Sequence, residues 1–301
     1  MISHAGKWRH LALAVALSLS CLALFVSCRN KAADALKALR ARADQGDPAS
    51  QNILGLMYGK GSGVPQDYAE AARWFRKAAD QGLAKAQYDL GVMYYHGEGV
   101  TQDYAEAARW FRRAADQGDP ASQNILGLMY GKGSGVLQDY AEAARWLRRA
   151  ADQGNAHAQF HLGFMYAEGH GVPQDYAEEA RWYRRAADQG DAKAQDNLGL
   201  MYYTGQGATQ DYAEAARWYR RAADQGDAGA QDSLGLMYLN GEGVTQDYVQ
   251  SHMWTNLAAS RASGDDQKKY ADDRESVAKK MTPQQVAEAQ RLAREWKPKT
   301  R

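Results

Sequence analysis

No cysteine lies beyond residue 28. The chain has two, Cys21 and Cys28, and both sit in one N-terminal apolar stretch. Everything downstream therefore folds without disulfides or a cysteine metal site, and its stability has to come from packing alone. An excess of one charge is missing too. Lys plus Arg number 37 against 36 Asp plus Glu, a net charge of +1, so nothing predicts non-specific attraction to nucleic acid or an anionic membrane. Phosphate loops are absent. Glycine pairs such as Gly97-Glu98-Gly99 lack both the Gly-Lys-Ser/Thr ending and a preceding strand. His157 and His161 stand at i, i+4, a spacing that can hold zinc. Yet Ala158, not Glu, follows the first of them, and no third ligand is evident, so two surface histidines are the better reading. No nucleophile–base pair stands apart from the rest. Catalysis needs a unique, asymmetric set of groups in one cleft, so neither an enzyme nor a bound cofactor is expected.

What is present is one passage, repeated. Asp103-Tyr104-Ala105-Glu106-Ala107-Ala108-Arg109-Trp110-Phe111-Arg112-Arg113-Ala114-Ala115-Asp116-Gln117-Gly118 returns with a period of 36 residues, so that Trp110 recurs as Trp74, Trp146, Trp182, Trp218 and Trp254. A fixed period between about 20 and 50 residues is the mark of a stacked-repeat architecture. Taking Asp47 as the start, six units run over 47–82, 83–118, 119–154, 155–190, 191–226 and 227–262.

Each unit holds two helical patterns. In the second unit the first helix carries Ala86, Leu90, Met93 and Tyr94, one face of a 3.6-residue period. Gly91 lies inside that helix and returns in every unit. It costs about 1 kcal/mol against Ala, which predicts close approach of a second backbone, that of the partner helix. The Gly-x-Gly loop follows, its glycines allowing the positive φ of a tight turn. Asp103 then predicts an N-cap, with Glu106 three residues on in a capping-box arrangement. The second helix has a wide apolar face of Tyr104, Ala107, Ala108, Trp110, Phe111, Ala114 and Ala115. Small alanines let helices approach while the tryptophan supplies most of the buried area. Gly118 ends the helix as a left-handed cap. Asp47-Pro48 and Asp119-Pro120 then begin the next, with Asp as N-cap and Pro in the first turn.

Leu90-Gly91-x-Met93-Tyr94-x-x-Gly97-x-Gly99-Val100-x-x-Asp103, followed by Ala107, Trp110, Ala114 and Gly118, resembles the Sel-1-like repeat family, whose α/α repeats are related to tetratricopeptide repeats. The resemblance covers residues 47–262 and recurs six times, with small departures at Ala208 and Glu179. It implies an all-α solenoid, a superhelix of helix pairs that serves as a protein-interaction scaffold, with the first helices lining the concave side. Some secreted relatives are described as penicillin-binding or weakly β-lactamase-like. Those carry a disulfide in each unit, which this chain lacks, and that argues against carrying the activity over.

The ends read differently. Lys7, Arg9 and His10 precede the apolar run Leu11 to Ser27, the pattern of a secretory signal. Phe25-Val26-Ser27-Cys28 resembles a bacterial lipoprotein cleavage site, which would make Cys28 the lipidated residue; Phe25 departs from the leucine that family prefers. A retained anchor over 1–28 and a plain cleaved signal are the alternatives. Each places the repeats outside the cytoplasmic membrane, at the cell envelope facing the periplasm. Residues 29–46 read as an N-terminal cap, a lone second helix with Ala38 in place of tryptophan. Residues 263–301 read as C-terminal capping helices and tail. In the sixth unit Met253 and Leu257 form an apolar stripe where other units are charged. A helix around Asp265 to Lys280, and another begun by the Thr282/Gln285 capping box with Pro283 behind it, are the expected cover.

Comparing the units with one another locates variability on one stripe of the first helix. One column reads Asn52, Tyr88, Asn124, Phe160, Asp196, Asp232; the next Ile53, Asp89, Ile125, His161, Asn197, Ser233; and further on Gly59, Tyr95, Gly131, Ala167, Tyr203, Leu239, then Lys60, His96, Lys132, Glu168, Thr204, Asn240. Aromatic residues bury large area at low entropic cost. Tyr88, Tyr95, His96, Phe160, His161 and Tyr203 are therefore the expected anchors for a peptide or protein partner. Drift at solvated positions would produce the same variability. Residues 43–82 and 115–154 differ only at Pro65/Leu137, Phe75/Leu147 and Lys77/Arg149, so part of the repetition records copying. Arg109, Arg112 and Arg113 repeat along the array, but Glu106 and Asp116 repeat with them, predicting a mixed solvated face. A cell-wall-binding or hydrolytic envelope protein is the competing reading.

Overall fold

The computed structural model describes residues 33–299. The expectations for residues 1–28, including Cys28, lie outside them. The chain divides into two compact units at Asp119/Pro120. Among the described residues every regular element is a helix. The first unit holds α1 (33–44), α2 (Pro48–Lys60), α3 (Tyr68–Asp80), α4 (Ala84–His96) and α5 (Tyr104–Asp116). The second holds α6 (Pro120–Lys132), α7 (Tyr140–Asp152), α8 (Ala156–Glu168), α9 (Tyr176–Asp188), α10 (Ala192–Thr204), α11 (Tyr212–Gln225), α12 (Ala228–Asn240), α13 (Tyr248–Arg261), α14 (Gly264–Ala278) and α15 (Pro283–Glu295). Within each unit each helix up to α14 packs on the next, the α/α repeat arrangement that the 36-residue period predicts, and α15 packs back on α13.

The tryptophans sit between modules. Trp110, of the second repeat, is buried against Ala71, Ala78 and Leu90 of α3 and α4; Trp182 and Trp218 repeat this one and two steps into the second unit. Arginines cover the rings on both sides. Arg76, from the preceding repeat, and Arg113, from the same helix, lie 5.4 and 4.5 Å from the Trp110 centroid. Arg148 and Arg185 do the same for Trp182 at 5.5 and 4.5 Å. Such cation–π contacts are worth about 0.5–2 kcal/mol each. The repeating arginines thus split in function. Arg109 and its counterparts pair with Glu106-type residues on the solvated face, while Arg76, Arg148, Arg184 and Arg220 are half-buried and donate to the hydroxyls of Tyr94, Tyr166, Tyr202 and Tyr238.

A buried glutamine ladder adds direction. Gln87 Nε2 donates to the Ala79 carbonyl at 3.1 Å, and Gln87 Oε1 accepts from Gln117 Nε2 at 2.7 Å. One side chain thereby ties the end of α3, the start of α4 and the end of α5. Gln51, Gln159 and Gln195 repeat it.

Three local expectations need correction. The glycine in the first helix makes room for a side chain more than for a backbone. A Cβ on Gly91 would lie 2.8 Å from the Phe111 ring, and one on Gly163 2.8 Å from Tyr183. The close backbone contact belongs to the second loop glycine. A Cβ on Gly99 would stand 2.1 Å from the Tyr68 carbonyl oxygen of the preceding repeat. No capping box closes at Asp103. Its carboxylate accepts from Ala105 and Glu106 N–H, but its own N–H donates to Tyr94 O and the Glu106 carboxylate goes to Arg109. Finally Tyr104 and four of its counterparts stay 37–40% exposed and do not join the packed face of the second helix. Gly118 caps as expected: φ is 96°, Gly118 N–H donates to Ala115 O and Asp119 N–H to Ala114 O, the Schellman pattern.

Both ends are covered by helices of their own. Leu39 and Ala43 of α1 pack with Leu54, Met57 and Trp74. At the other end Met253 and Leu257 are each 6% exposed, because Ala289, Ala293, Leu292 and Trp296 of α15 and its C-cap lie over them. Thr282 and Gln285 do form a capping box.

Candidate functional site

First helices have two apolar faces. Ala86, Gln87, Leu90, Gly91 and Met93 of α4 are buried toward the repeat's own second helix and the preceding one. The opposite face, which carries the variable columns, also bears an aliphatic or aromatic residue in every repeat: Leu56, Val92, Leu128, Phe164, Leu200 and Leu236. None of these is buried, and Phe164 and Leu200 are 47% and 50% exposed, with Ile53 at 45% beside the column. Sequence reasoning passed over this column because it stays apolar in every repeat. The signal was its position, one turn beyond positions 52 and 53 and one turn before 59 and 60.

Pockets open between successive first helices on this wall. In the first unit a pocket of about 290 Å³ is lined by Leu56, Lys60, Tyr88, Asp89, Val92 and Glu98, with Phe75 behind them. In the second unit one of about 160 Å³ lies between α10 and α12, lined by Leu200, Tyr203, Ser233, Leu236 and Met237 with Tyr219 of α11 as its floor.

The expected anchors fall into four places. Tyr88 enters the first pocket, its ring 5.9 Å from Phe111. Tyr95 and His96 sit edge to edge at 5.2 Å, with Tyr104 against Tyr95 at 5.1 Å. Phe160 stacks on buried Tyr183 at 5.5 Å and meets His161 at 5.3 Å, so it borders the core as well as the wall. Tyr203 enters the second pocket, and its hydroxyl donates to Glu242 at 2.9 Å. Among the described residues no three His, Cys, Asp or Glu side chains converge as a metal site. His157 instead lies 3.5 Å from Asp191. His161 is pushed down to about 4 by burial, with His157 adding to the effect, so it is neutral at pH 7.

Carboxylates on this wall are held in the opposite direction. Burial raises Asp89 to about 6, and its Oδ2 has no hydrogen-bond partner. Burial and then Asp227 raise Asp196 to about 7. Burial and then Asp273 raise Asp232 to about 6, although Lys269 Nζ stands 3.3 Å from its Oδ2. Glu179, where other repeats have a packing Ala or Ser, is raised to about 7 by burial and by Glu168. Lys85 and Lys269 partly offset Asp89 and Asp232, but no cation acts on Asp196 or Glu179. A desolvated carboxylate of that kind is costly to keep charged, so a guest near these two is favoured if it brings positive charge or hydrogen-bond donors.

The Sel1 repeat family matches residues 48–83, 84–119, 120–155, 156–191, 192–227 and 228–263. Similar solved structures include two at more than a third identity. A protective antigen of uropathogenic Escherichia coli strains, described as displaying an SLR fold, is 39% identical with a TM-score of 0.77 over 86% of this chain. The chain spans 56% of that protein's length. A Sel1 repeat protein from Oxalobacter formigenes is 37% identical with a TM-score of 0.67, covering 78% of this chain and 98% of its own. No curated protein matches the chain.

Proposed function

The chain belongs to the Sel1 repeat family, and from that premise we propose that it is a non-catalytic scaffold that docks a peptide or protein segment on the first-helix wall. Sel1 repeat proteins generally mediate protein–protein interaction. The observation that carries the assignment to this wall is the exposed apolar column. Phe164 and Leu200 of that column stay about half exposed, with Ile53 beside it; Leu200 and Leu236 line one preformed pocket, and Leu56 and Val92 another. Apolar surface rimmed by polar groups is what protein docking sites present. The expected aromatic anchors lie on the same wall. Tyr88 enters the pocket of the first unit and Tyr203 that of the second, and Tyr95, His96, Phe160 and His161 stand on first helices of those units.

The scaffold is placed at the cell envelope. Support comes from the N-terminal sequence: a basic start, an apolar run, and Cys28 in a lipoprotein-like setting. The antigenic role of the 39% identical relative is in keeping with export. The proposed tether is the apolar stretch within residues 1–28, as read from the sequence; among the described residues no helix is long and apolar enough to cross a membrane. Membrane fractionation with metabolic lipid labelling tests this, and Cys28→Ser abolishes the label if Cys28 is acylated.

A photoreactive amino acid at position 164 or 200, set against the same residue at Arg145 or Arg181 on the solvated face of the second helices, tests the docking wall. Capture of one protein from the first pair and not the second supports it. Equal capture from both, or from the second pair alone, refutes it.

A further inference from the structure

The pocket between α10 and α12 differs from its surroundings in combining an apolar cup with carboxylates that lack counter-ions. Leu200, Leu236, Met237 and the rings of Tyr203 and Tyr219 supply the cup. Its volume is about 160 Å³, close to the roughly 150 Å³ of a cavity that accepts a benzene ring. One leucine- or phenylalanine-sized group fills it.

Two carboxylates act on residues that line it. Asp196 is on α10, one turn before Leu200, and acts on Tyr219 at the pocket floor. Glu242 accepts from the Tyr203 hydroxyl. Neither makes an ion pair among the described residues, whereas Asp232 nearby is already matched by Lys269. The charge that acts on Asp196 is another carboxylate, Asp227, and no lysine or arginine offsets it. One repeat earlier, Glu168 and Glu179 are two further carboxylates without an ion pair. An extended peptide advances about 3.3 Å per residue, so the residues flanking a side chain seated in the pocket come within reach of the carboxylates beside it, and a strand continuing toward α8 approaches Glu168 and Glu179 further along.

We propose that this pocket receives one apolar side chain of an extended peptide whose flanking residues are lysine or arginine. The proposal rests on the reading of the first-helix wall as the docking face and adds the partner's chemistry. The cup supplies affinity through apolar burial. The carboxylates at Asp196 and Glu242, and at Glu168 and Glu179, select for cations. An acidic peptide brings like charge to the same groups and is rejected.

Fluorescence anisotropy of the purified chain with three labelled peptides of equal length tests this. Their cores are Lys-Leu-Lys, Glu-Leu-Glu and Lys-Ser-Lys in neutral flanks. The expected result is that the first binds at least tenfold more tightly than either other and weakens as salt rises. Asp196→Asn with Glu242→Gln lowers that affinity tenfold or more. Ser233→Trp, which fills the cup, abolishes it with an unchanged helical spectrum; Ser233→Met serves if the tryptophan variant does not fold. Equal binding of the acidic peptide, or binding indifferent to the Ser233 and Asp196 variants, overturns the proposal. If none of the peptides binds while a crosslinker at position 200 still captures a protein, the basic–apolar chemistry falls and the docking wall stands. If neither occurs, both fall.

Discussion

Replacing Gly171 by alanine tests whether the loop glycines join successive repeats. Gly171 and Gly154 both have positive φ, 72° and 89°. An L-residue in that region costs about 1–2 kcal/mol, partly offset by about 0.4–1 kcal/mol from a less free unfolded chain. Gly154 has open space around the position a Cβ would take, so Gly154→Ala loses only that difference, about 1 kcal/mol. At Gly171 the Cβ would stand 2.1 Å from the Tyr140 carbonyl oxygen and 2.3 Å from its carbon, where ordinary contact begins at 3.4 Å. The loop has to retreat by roughly 1 Å, at the typical overpacking cost of about 1–3 kcal/mol. The retreat also disturbs the His170 ring, stacked on Tyr140 at 4.5 Å and 14°. Gly171→Ala is therefore expected to cost about 2 kcal/mol more than Gly154→Ala. At about 2–4 °C per kcal/mol for a chain of this size, their midpoints differ by about 4–8 °C. Thermal and urea unfolding followed by circular dichroism measure the gap. Equal destabilisation by the two variants would refute the claim that the loop backbone is a contact between repeats.

Trp182→Ala removes a buried ring and two stacked arginines and costs about 3–5 kcal/mol. Trp74→Ala, where the ring is half-buried, costs less, and paired urea titrations read the order. Asp103→Ala loses two accepted N–H bonds and costs about 0.5–2 kcal/mol, whereas Glu106→Gln loses only an exposed pair with Arg109, worth about 0.5 kcal/mol or less; a large Glu106→Gln effect would mean that the capping box exists after all. Asp196 is raised to about 7 in the folded chain from an ordinary 3.8, so the folded state holds its proton more tightly than the unfolded one. Its contribution is intact below about pH 4 and is lost as pH rises toward 7. Asp196→Asn should match the parent near pH 4 and grow progressively more stable than it up to about pH 7, beyond which the gap levels off. A pH-independent difference between the two would contradict this.

Much of the fold was legible because its determinants are local and repeated. A tryptophan every 36 residues can stay in register only if each module packs on the last in the same way. The Met253/Leu257 stripe announced a missing cover, and α15 supplies it. Contacts between sequence-distant groups were less legible. The glycine of the first helix could be read as a close approach, but nothing in its own sequence said that a ring and not a backbone fills the space. Asp103 and Glu106 have the spacing of a capping box, yet Arg109 competes for the glutamate and Tyr94 O takes the N–H. The glutamine ladder was missed because a conserved-looking polar residue on a helix start reads as solvated. The docking wall was half visible. Variable columns marked its edges, while Leu56, Phe164 and Leu200, apolar like their counterparts in every repeat, did not stand out. A first helix with aliphatic residues on both faces offers no period that tells the inner from the outer.

The most direct measurement is hydrogen–deuterium exchange on the chain alone and in complex with the protein captured at position 200. Slower exchange in α8, α10 and α12, with α9 and α11 unchanged, is the expected result. Protection confined to the second helices, or spread evenly over both sets, would contradict the assignment of recognition to the first-helix wall.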